Sequence, residues 1–481
     1  MKKTISLLLI LAVLLLIPSG VLAFPSGSWV SGVTVANLTN ETATVLITFY
    51  NQDGSVALSF NGGTIPGNGS KTWYLPSHVS GLSSGFIGSA VVSSDKQIAA
   101  IVNTQLPSGS NPTRVGTSVG VSTPAETIYA TQIMKNYYGW NSYCAVQNTG
   151  SSAFTVSAYY YDQNGNQVGA ARTQSIPANA SYIFDQSLDS GLANGFNGSA
   201  KFVGDSSHLL AVVCNFYNAG SGSSDAQFHS YNGMGVGETT LYVPRVVKDY
   251  YNYQSGLKIQ NIGTEALTVT ITFNFNGTNY TLTSPSISPG RSWGPYMGDP
   301  SQLVGATPSL TGVSGSGSAV ITVDSPNANK RIIATINEDN RVNPAGRGVT
   351  YEAGLFSEAS NVIVFPQITS EYYGYSSGWQ LMKVESGSAN CTASYSASGS
   401  IAAFTENFTL TDTNPSFSRF APNAPGMLAG ISNDNYNGAV TINCTGAKVI
   451  GIANLSYRYD FDNRYGNLTG DSFTTARGVN K

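Results

Sequence analysis

The chain has 481 residues, too many for one ordinary domain, with 41% hydrophobic residues, 10% charged residues and a net charge of −3. This balance excludes a disordered chain, which needs few apolar residues and much charge. It also argues against nucleic acid and anionic membranes as partners, because no basic patch is available to displace counterions.

At the N-terminus, Lys2 and Lys3 precede the apolar run from Ile5 to Ile17, and Val21-Leu22-Ala23 supplies small residues where a signal peptidase cuts. The pattern predicts a signal peptide over residues 1–23, removed near Ala23. No cysteine follows the run to take a lipid, and no later segment is apolar enough to span a bilayer. The expectation is a secreted or cell-surface protein whose mature chain is not inserted in the membrane.

Beyond the leader, three segments align without gaps: VANLTNETATVLITFY from Val35, VQNTGSSAFTVSAYYY from Val146 and IQNIGTEALTVTITFN from Ile259. GFIGSAVV from Gly85 matches GFNGSAKF from Gly195, with fainter copies from Gly315 and Tyr436. A third block closes each repeat at Asn103, Asn215, Asn337 and Asn454. The spacing predicts four units over residues 24–124, 125–237, 238–359 and 360–481, the last divergent.

Within the third unit Val269, Ile271, Phe273 and Phe275 alternate with polar residues, the period of a half-buried strand. Val45, Ile47 and Phe49 repeat that register in the first unit, and Val156, Ala158 and Tyr160 in the second. Asn148–Gly150 and Asn261–Gly263 are expected to supply positive φ, and Asp53-Gly54 and Asn164-Gly165 to make hairpin turns. Helical periodicity is missing after the leader, so the fold class is all-β: a tandem array of four β-sandwiches.

Four cysteines in an exported chain favour disulfides. Cys144 and Cys214 stand where the first unit has Val33 with Val102 and the third has Leu257 with Ile336. Apolar pairs at those places mark neighbouring inward positions, so a Cys144–Cys214 bridge is expected. Cys391 and Cys444 would form a second one. A metal site lacks paired CxxC spacing and a nearby histidine.

Asn148-Thr149-Gly150, Asn261-Ile262-Gly263, Pro66-Gly67, Pro289-Gly290 and the four closing asparagines resemble bacterial immunoglobulin-like modules of the cell-adhesion-related type. Unit two departs with Pro177-Ala178, and unit four with Glu385-Ser386-Gly387. The resemblance implies an inter-sheet bridge and a role in adhesion or surface display.

No catalytic constellation stands out. His78, His208 and His229 fall in or near turns of different segments, with no HExxH, no GxSxG and no Cys–His pairing. Calcium is the only cofactor suggested. Asn433 to Gly438 starts like a calcium loop but carries Cys444 at its twelfth position, and Asp460 with Asp462 is a second oxygen-rich stretch. Ordinary turn chemistry accounts for both. N-x-Ser/Thr sites such as Asn37, Asn68, Asn197, Asn276 and Asn454 recur about as often as this composition produces by chance.

One motif recurs before units two, three and four: Tyr137-Tyr138 with Trp140, Tyr250-Tyr251 with Tyr253, and Tyr372-Tyr373 with Tyr375. The polar neighbours vary while the rings persist, which points to packing between units rather than a ligand platform. The first unit, opening at FPSGSW, has no copy of the strand that precedes these tyrosines and could accept one from a neighbour. The expected function is a non-enzymatic structural or adhesive protein that self-associates or meets other extracellular components. The alternative is a carbohydrate-binding array that uses exposed Tyr and Trp.

Overall fold

A computed structural model describes residues 27–106, 114–205, 208–218, 227–340, 347–428, 434–457, 471 and 473–481. The expected signal peptide, Asn433 and the Asp460–Asp462 stretch lie outside these residues.

The first unit contains β1 (Val30–Asn37), β2 (Ala43–Asn51), β3 (Val56–Ile65), β4 (Ser70–Tyr74), the short helix α1 (Leu75–His78), β5 (Gly88–Ser94), β6 (Ile98–Leu106) and β7 (Arg114–Val119). The second contains β8 (Thr127–Lys135), β9 (Trp140–Asn148), β10 (Phe154–Tyr161), β11 (Arg172–Ile176), β12 (Ser181–Asp185), β13 (Phe196–Val203), β14 (Leu210–Asn218) and β15 (Phe228–Asn232). The third follows with β16 (Thr240–Lys248), β17 (Tyr253–Asn261), β18 (Val269–Phe275), β19 (Thr278–Thr283), β20 (Ser292–Trp293), β21 (Gly315–Val323), β22 (Ile332–Asn340), β23 (Arg347–Glu352) and β24 (Gly354–Leu355). The fourth has β25 (Val362–Ser370), β26 (Tyr375–Lys383), β27 (Ala389–Tyr395), β28 (Phe404–Leu410), β29 (Ser416–Phe420), β30 (Tyr436–Thr445), β31 (Val449–Tyr457), β32 (Phe473–Arg477) and β33 (Val479–Asn480).

Every pairing is antiparallel, and the strands form two sheets per unit. Unit two shows the plan: β11-β10-β13-β8 faces β12-β9-β14-β15. Units three and four repeat it with a short extra strand beside β16 and beside β25. Unit one has β4-β1-β6-β7 with β3-β2-β5 opposite, and among the described residues it has no counterpart of β8. Alternation builds the cores between the sheets. Val269, Ile271 and Phe273 are fully buried while Thr270 and Thr272 are partly exposed, and Val45, Ile47 and Phe49 behave likewise. Each unit has its own apolar core drawn from both of its sheets.

Cys144 and Cys214 are bonded, as are Cys391 and Cys444. The inter-sheet placement implied by the resemblance is not what forms. Cys144 faces Cys214 across the β9–β14 ladder, and Cys391 faces Cys444 across β27–β30, so each bridge joins neighbouring strands of one sheet. Directly opposed side chains in an antiparallel pair share a face, and here the Cα atoms lie 4.1 Å apart in both bridges. Val33–Val102 and Leu257–Ile336 occupy the same register as Cys144–Cys214.

The Asn-x-Gly segments also differ from expectation, since none of their Asn or Gly residues has positive φ. Asn148 and Asn261 are instead buried staples. Asn148 donates to the carbonyls of Ser152 (2.8 Å), Ile176 (3.0 Å) and Pro177 (3.0 Å), and accepts from Gly150 N at 2.8 Å. Asn261 does the same to Glu265 and Ile287. Gly263 is required by close approach, because a Cβ there would lie 2.1 Å from the Asn329 carbonyl. In unit four the ladder places Lys383, not Glu385, at this position, and its ammonium donates to the Glu385 carbonyl at 2.8 Å.

The array is not extended. β7, β15, β23 and β32 each pack against two of the others in a closed cycle, so the four units surround a common axis. Asn232 Nδ2 donates to Val119 O (2.7 Å), the His229 ring shares a hydrogen bond with the Thr350 hydroxyl (2.9 Å), and Thr474 donates to Thr117 (3.0 Å).

Candidate contact surface: tyrosine hairpins and unit junctions

Each Tyr-Tyr pair sits on the two-residue hairpin that joins the first strand of its unit to the second. Tyr137 and Trp140 exchange backbone hydrogen bonds, as do Tyr250 with Tyr253 and Tyr372 with Tyr375. The residues between them have positive φ: Tyr138 (48°) and Gly139 (83°), Tyr251 (50°) and Asn252 (65°), Tyr373 (48°) and Gly374 (82°). This is the type I′ turn, whose twist matches the flanking strands. Asn136, Asp249 and Glu371 also have positive φ, and their N–H groups are held by Asn141, Gln254 and Ser376 side chains.

The expected packing between units fails for the second tyrosine of each pair. Tyr138, Tyr251 and Tyr373 are 85%, 78% and 67% exposed. A turn tip projects from the sheet, so its side chain has no neighbouring layer to enter. Each rests edge-on against the preceding ring, Tyr137, Tyr250 or Tyr372, at 4.7–4.8 Å. The third ring of the motif is the one that packs inward. Trp140 lies on Phe216 and His229, Tyr253 on Phe473 of the fourth unit, and Tyr375 on Tyr457. Trp29, at the matching place in unit one, packs on Phe228 of unit two at 4.8 Å.

The hairpins share one end of the ring, the end at which Phe228 and Phe473 open the central strands. Asn218 and Asn340, the last residues of β14 and β22, donate to the Tyr138 and Tyr251 carbonyls. Three solvent-facing phenols, each on an identical rigid turn, therefore stand around the axis.

Polar side chains are spent in the junctions. Thr117, Ser230, Thr350 and Thr475 hydroxyls donate to the closing residues Asn103, Asn215, Asn337 and Asn454 respectively. Asn337 then donates to Gln132 of unit two (2.7 Å) and Asn103 to Gln367 of unit four (2.9 Å). Gln132 and Gln367 sit at β-bulges of the first strands, which turn them toward the next unit. Arg245, at the same bulge in unit three, pairs instead with buried Glu338 through two bonds of 2.6 and 2.7 Å. That pairing, opposed by burial, raises the guanidinium further.

The histidines do not converge. His229 lies on the central strand β15 rather than in a turn, and burial lowers its imidazole to about 3. His78 Nδ1 accepts from Tyr74 N, and His208 stacks on Phe154. Burial raises the Asp471 carboxyl, although it accepts from Phe228, Gly348 and Phe473 N–H groups. Among the described residues no three His, Cys, Asp or Glu side chains are grouped to hold a metal ion. A narrow crevice at the fourth–first junction is lined by Asn103, Thr117, Gln367 and Asn454, which already bond among themselves and with Thr475. No helix among the described residues is long and apolar enough to cross a membrane.

No known protein-family model matches the chain, and no curated protein matches its sequence.

Proposed function

We propose that the chain is an exported, non-enzymatic structural or adhesive protein of the cell surface or extracellular space. In this reading four immunoglobulin-like sandwiches, of the cell-adhesion-related kind, follow a cleaved signal peptide and close into a rigid ring. One observation carries it. The repeated polar residues Asn103, Gln132, Asn337 and Gln367 bond units to each other, and among the described residues they leave no convergent set to act on a substrate. The two disulfides fit an oxidising compartment. Immunolabelling of intact source cells, with N-terminal sequencing of the recovered protein, tests the reading. Label inside the cell with residues 1–23 still attached would exclude export, and turnover of a polysaccharide or peptide by the purified chain would exclude the non-enzymatic role.

A second reading is supported by Tyr138, Tyr251 and Tyr373. Exposed phenols on rigid turns suit stacking on sugar rings, so the adhesive contact would be a glycan. Glycan-array binding that disappears in the triple Tyr→Ser variant at these positions is the expected result. Binding unchanged in that variant would remove this reading and leave the structural one.

A further inference from the structure

One sheet of the first unit has an open seat. β5 pairs with β2 and, among the described residues, with nothing on its other side. In the sister units that side is taken by β8, β16 or β25. The difference reaches the core. Phe202, Ile321 and Ile442 are fully buried, as are Ala200, Ala319 and Val440. Their counterparts in unit one, Val92 and Ala90, are only half-buried, and Val91 between them is 37% exposed.

Two polar fittings of the seat are nevertheless in place. Ser142, Ser255 and Ser377 each accept a first-strand backbone N–H, from Met134, Val247 and Thr369, at 2.9 Å. The register puts Ser31 at that position in unit one, where its hydroxyl makes a 3.4 Å contact with the Thr104 hydroxyl. Across the junction Asn215 is bonded by Ser230, as its equivalents are bonded by Thr117 and Thr350. The glutamine that reaches Asn337 and Asn103 comes from the first strand of the preceding unit. For Asn215 the preceding unit is unit one, whose described residues include no such strand.

We propose that this seat receives a β-strand from a second polypeptide, antiparallel to β5. The sister strands define its chemistry: apolar side chains opposite Val92 and Ala90, a two-residue bulge, then an aliphatic opposite Gly88. In unit two these are Ile128, Ala130 and Ile133, in unit three Leu241, Val243 and Val246, and in unit four Ile363, Phe365 and Ile368. A carboxamide at the bulge, like Gln132 or Gln367, would face Asn215. Backbone pairing supplies affinity and the alternate side chains supply selectivity.

The strand comes from outside because of where the leader ends, so the inference rests on the export reading. On that reading, cleavage near Ala23 leaves only five residues ahead of Trp29, too few for a nine-residue first strand like Thr127–Lys135.

The test uses the chain as secreted, with intact mass reporting whether residues 1–23 are gone. That measurement checks export separately from strand binding. The probe is a labelled synthetic peptide copying residues 126–136, followed by fluorescence anisotropy, with hydrogen exchange read at the β5 amides. Saturable binding with slowed exchange in β5 is expected. A peptide carrying Ile133→Asp should bind at least about tenfold more weakly, since it would bury an unpaired charge. That peptide leaves the protein unaltered, so misfolding cannot mimic the loss. Ser31→Ala in the protein should weaken binding by roughly three- to tenfold, the worth of one hydrogen bond. A cleaved chain that binds no peptide while its β5 amides exchange freely would overturn the proposal. So would β5 amides already protected in a cleaved monomer without peptide, because the seat would then be filled from its own chain.

Discussion

Asn261 concentrates what a single residue contributes here. It is fully buried and bonds two carbonyls and the Gly263 N–H; Asn261→Ala strands the Glu265 carbonyl and the Gly263 N–H, while the Ile287 carbonyl keeps its bond from Leu267 N. The expected loss is about 1–3 kcal/mol, seen as a lowered transition for unit three in scanning calorimetry. The position was legible from the repeated Asn-x-Gly, but its purpose was not. A turn with positive φ and a buried staple use the same letters, and only burial tells them apart. His229 makes a second residue-scale prediction. Its folded value of about 3 lies below the ordinary 6.5, so the unfolded chain takes up the proton first. This group's contribution is complete above pH 6.5 and shrinks as pH falls toward 3. Urea midpoints should therefore drop on acidification through that window, and the His229 ring resonances should not titrate between pH 5 and 7.5.

Among the elements, alternation fixed which faces of the strands are inward, and Val33–Val102 with Leu257–Ile336 marked the ladder positions that Cys144 and Cys214 share. Sheet membership was beyond reach, because a pair of inward residues close in space can lie in one sheet or face across two. The cross-strand placement yields a prediction. The double variant Cys144→Val with Cys214→Val reproduces the first unit's pair, so it should keep the fold. It should lose roughly 2–4 kcal/mol in unit two, measured by urea unfolding followed at that unit's tyrosines. The hairpins teach the opposite lesson. Tyr138, Tyr251 and Tyr373 read as packing residues because ring identity persists. Yet a two-residue turn needs positive φ, which tyrosine adopts at a cost of about 1–2 kcal/mol. Tyr138→Gly should accordingly stabilise its hairpin, visible as slower hydrogen exchange at Tyr137 and Trp140.

For the whole molecule, the repeat announced four units but not their closure. Nothing in a 111-residue period distinguishes a string from a ring; Gln132 with Asn337 and Gln367 with Asn103 make that choice through side chains far apart in sequence. Small-angle scattering separates the two. A ring of this mature length should show a radius of gyration near ~23 Å, whereas an extended string of sandwiches would be well above it. Gln367→Ala with Asn103→Ala should loosen the fourth–first junction and increase that radius, while the disulfides stay formed.

The vacancy beside β5 has a further consequence, one of counting. A ring of four equal units would present any strand-bearing partner with four addresses and allow mixed occupancies. Among the described residues three are filled by the chain itself and the edge of β5 is not, so the proposed strand addition predicts one strand per ring. The strands of a like chain that match the seat, β8, β16 and β25, are already paired in their own sheets, so the proposed single address calls for a donor strand that is free before it binds.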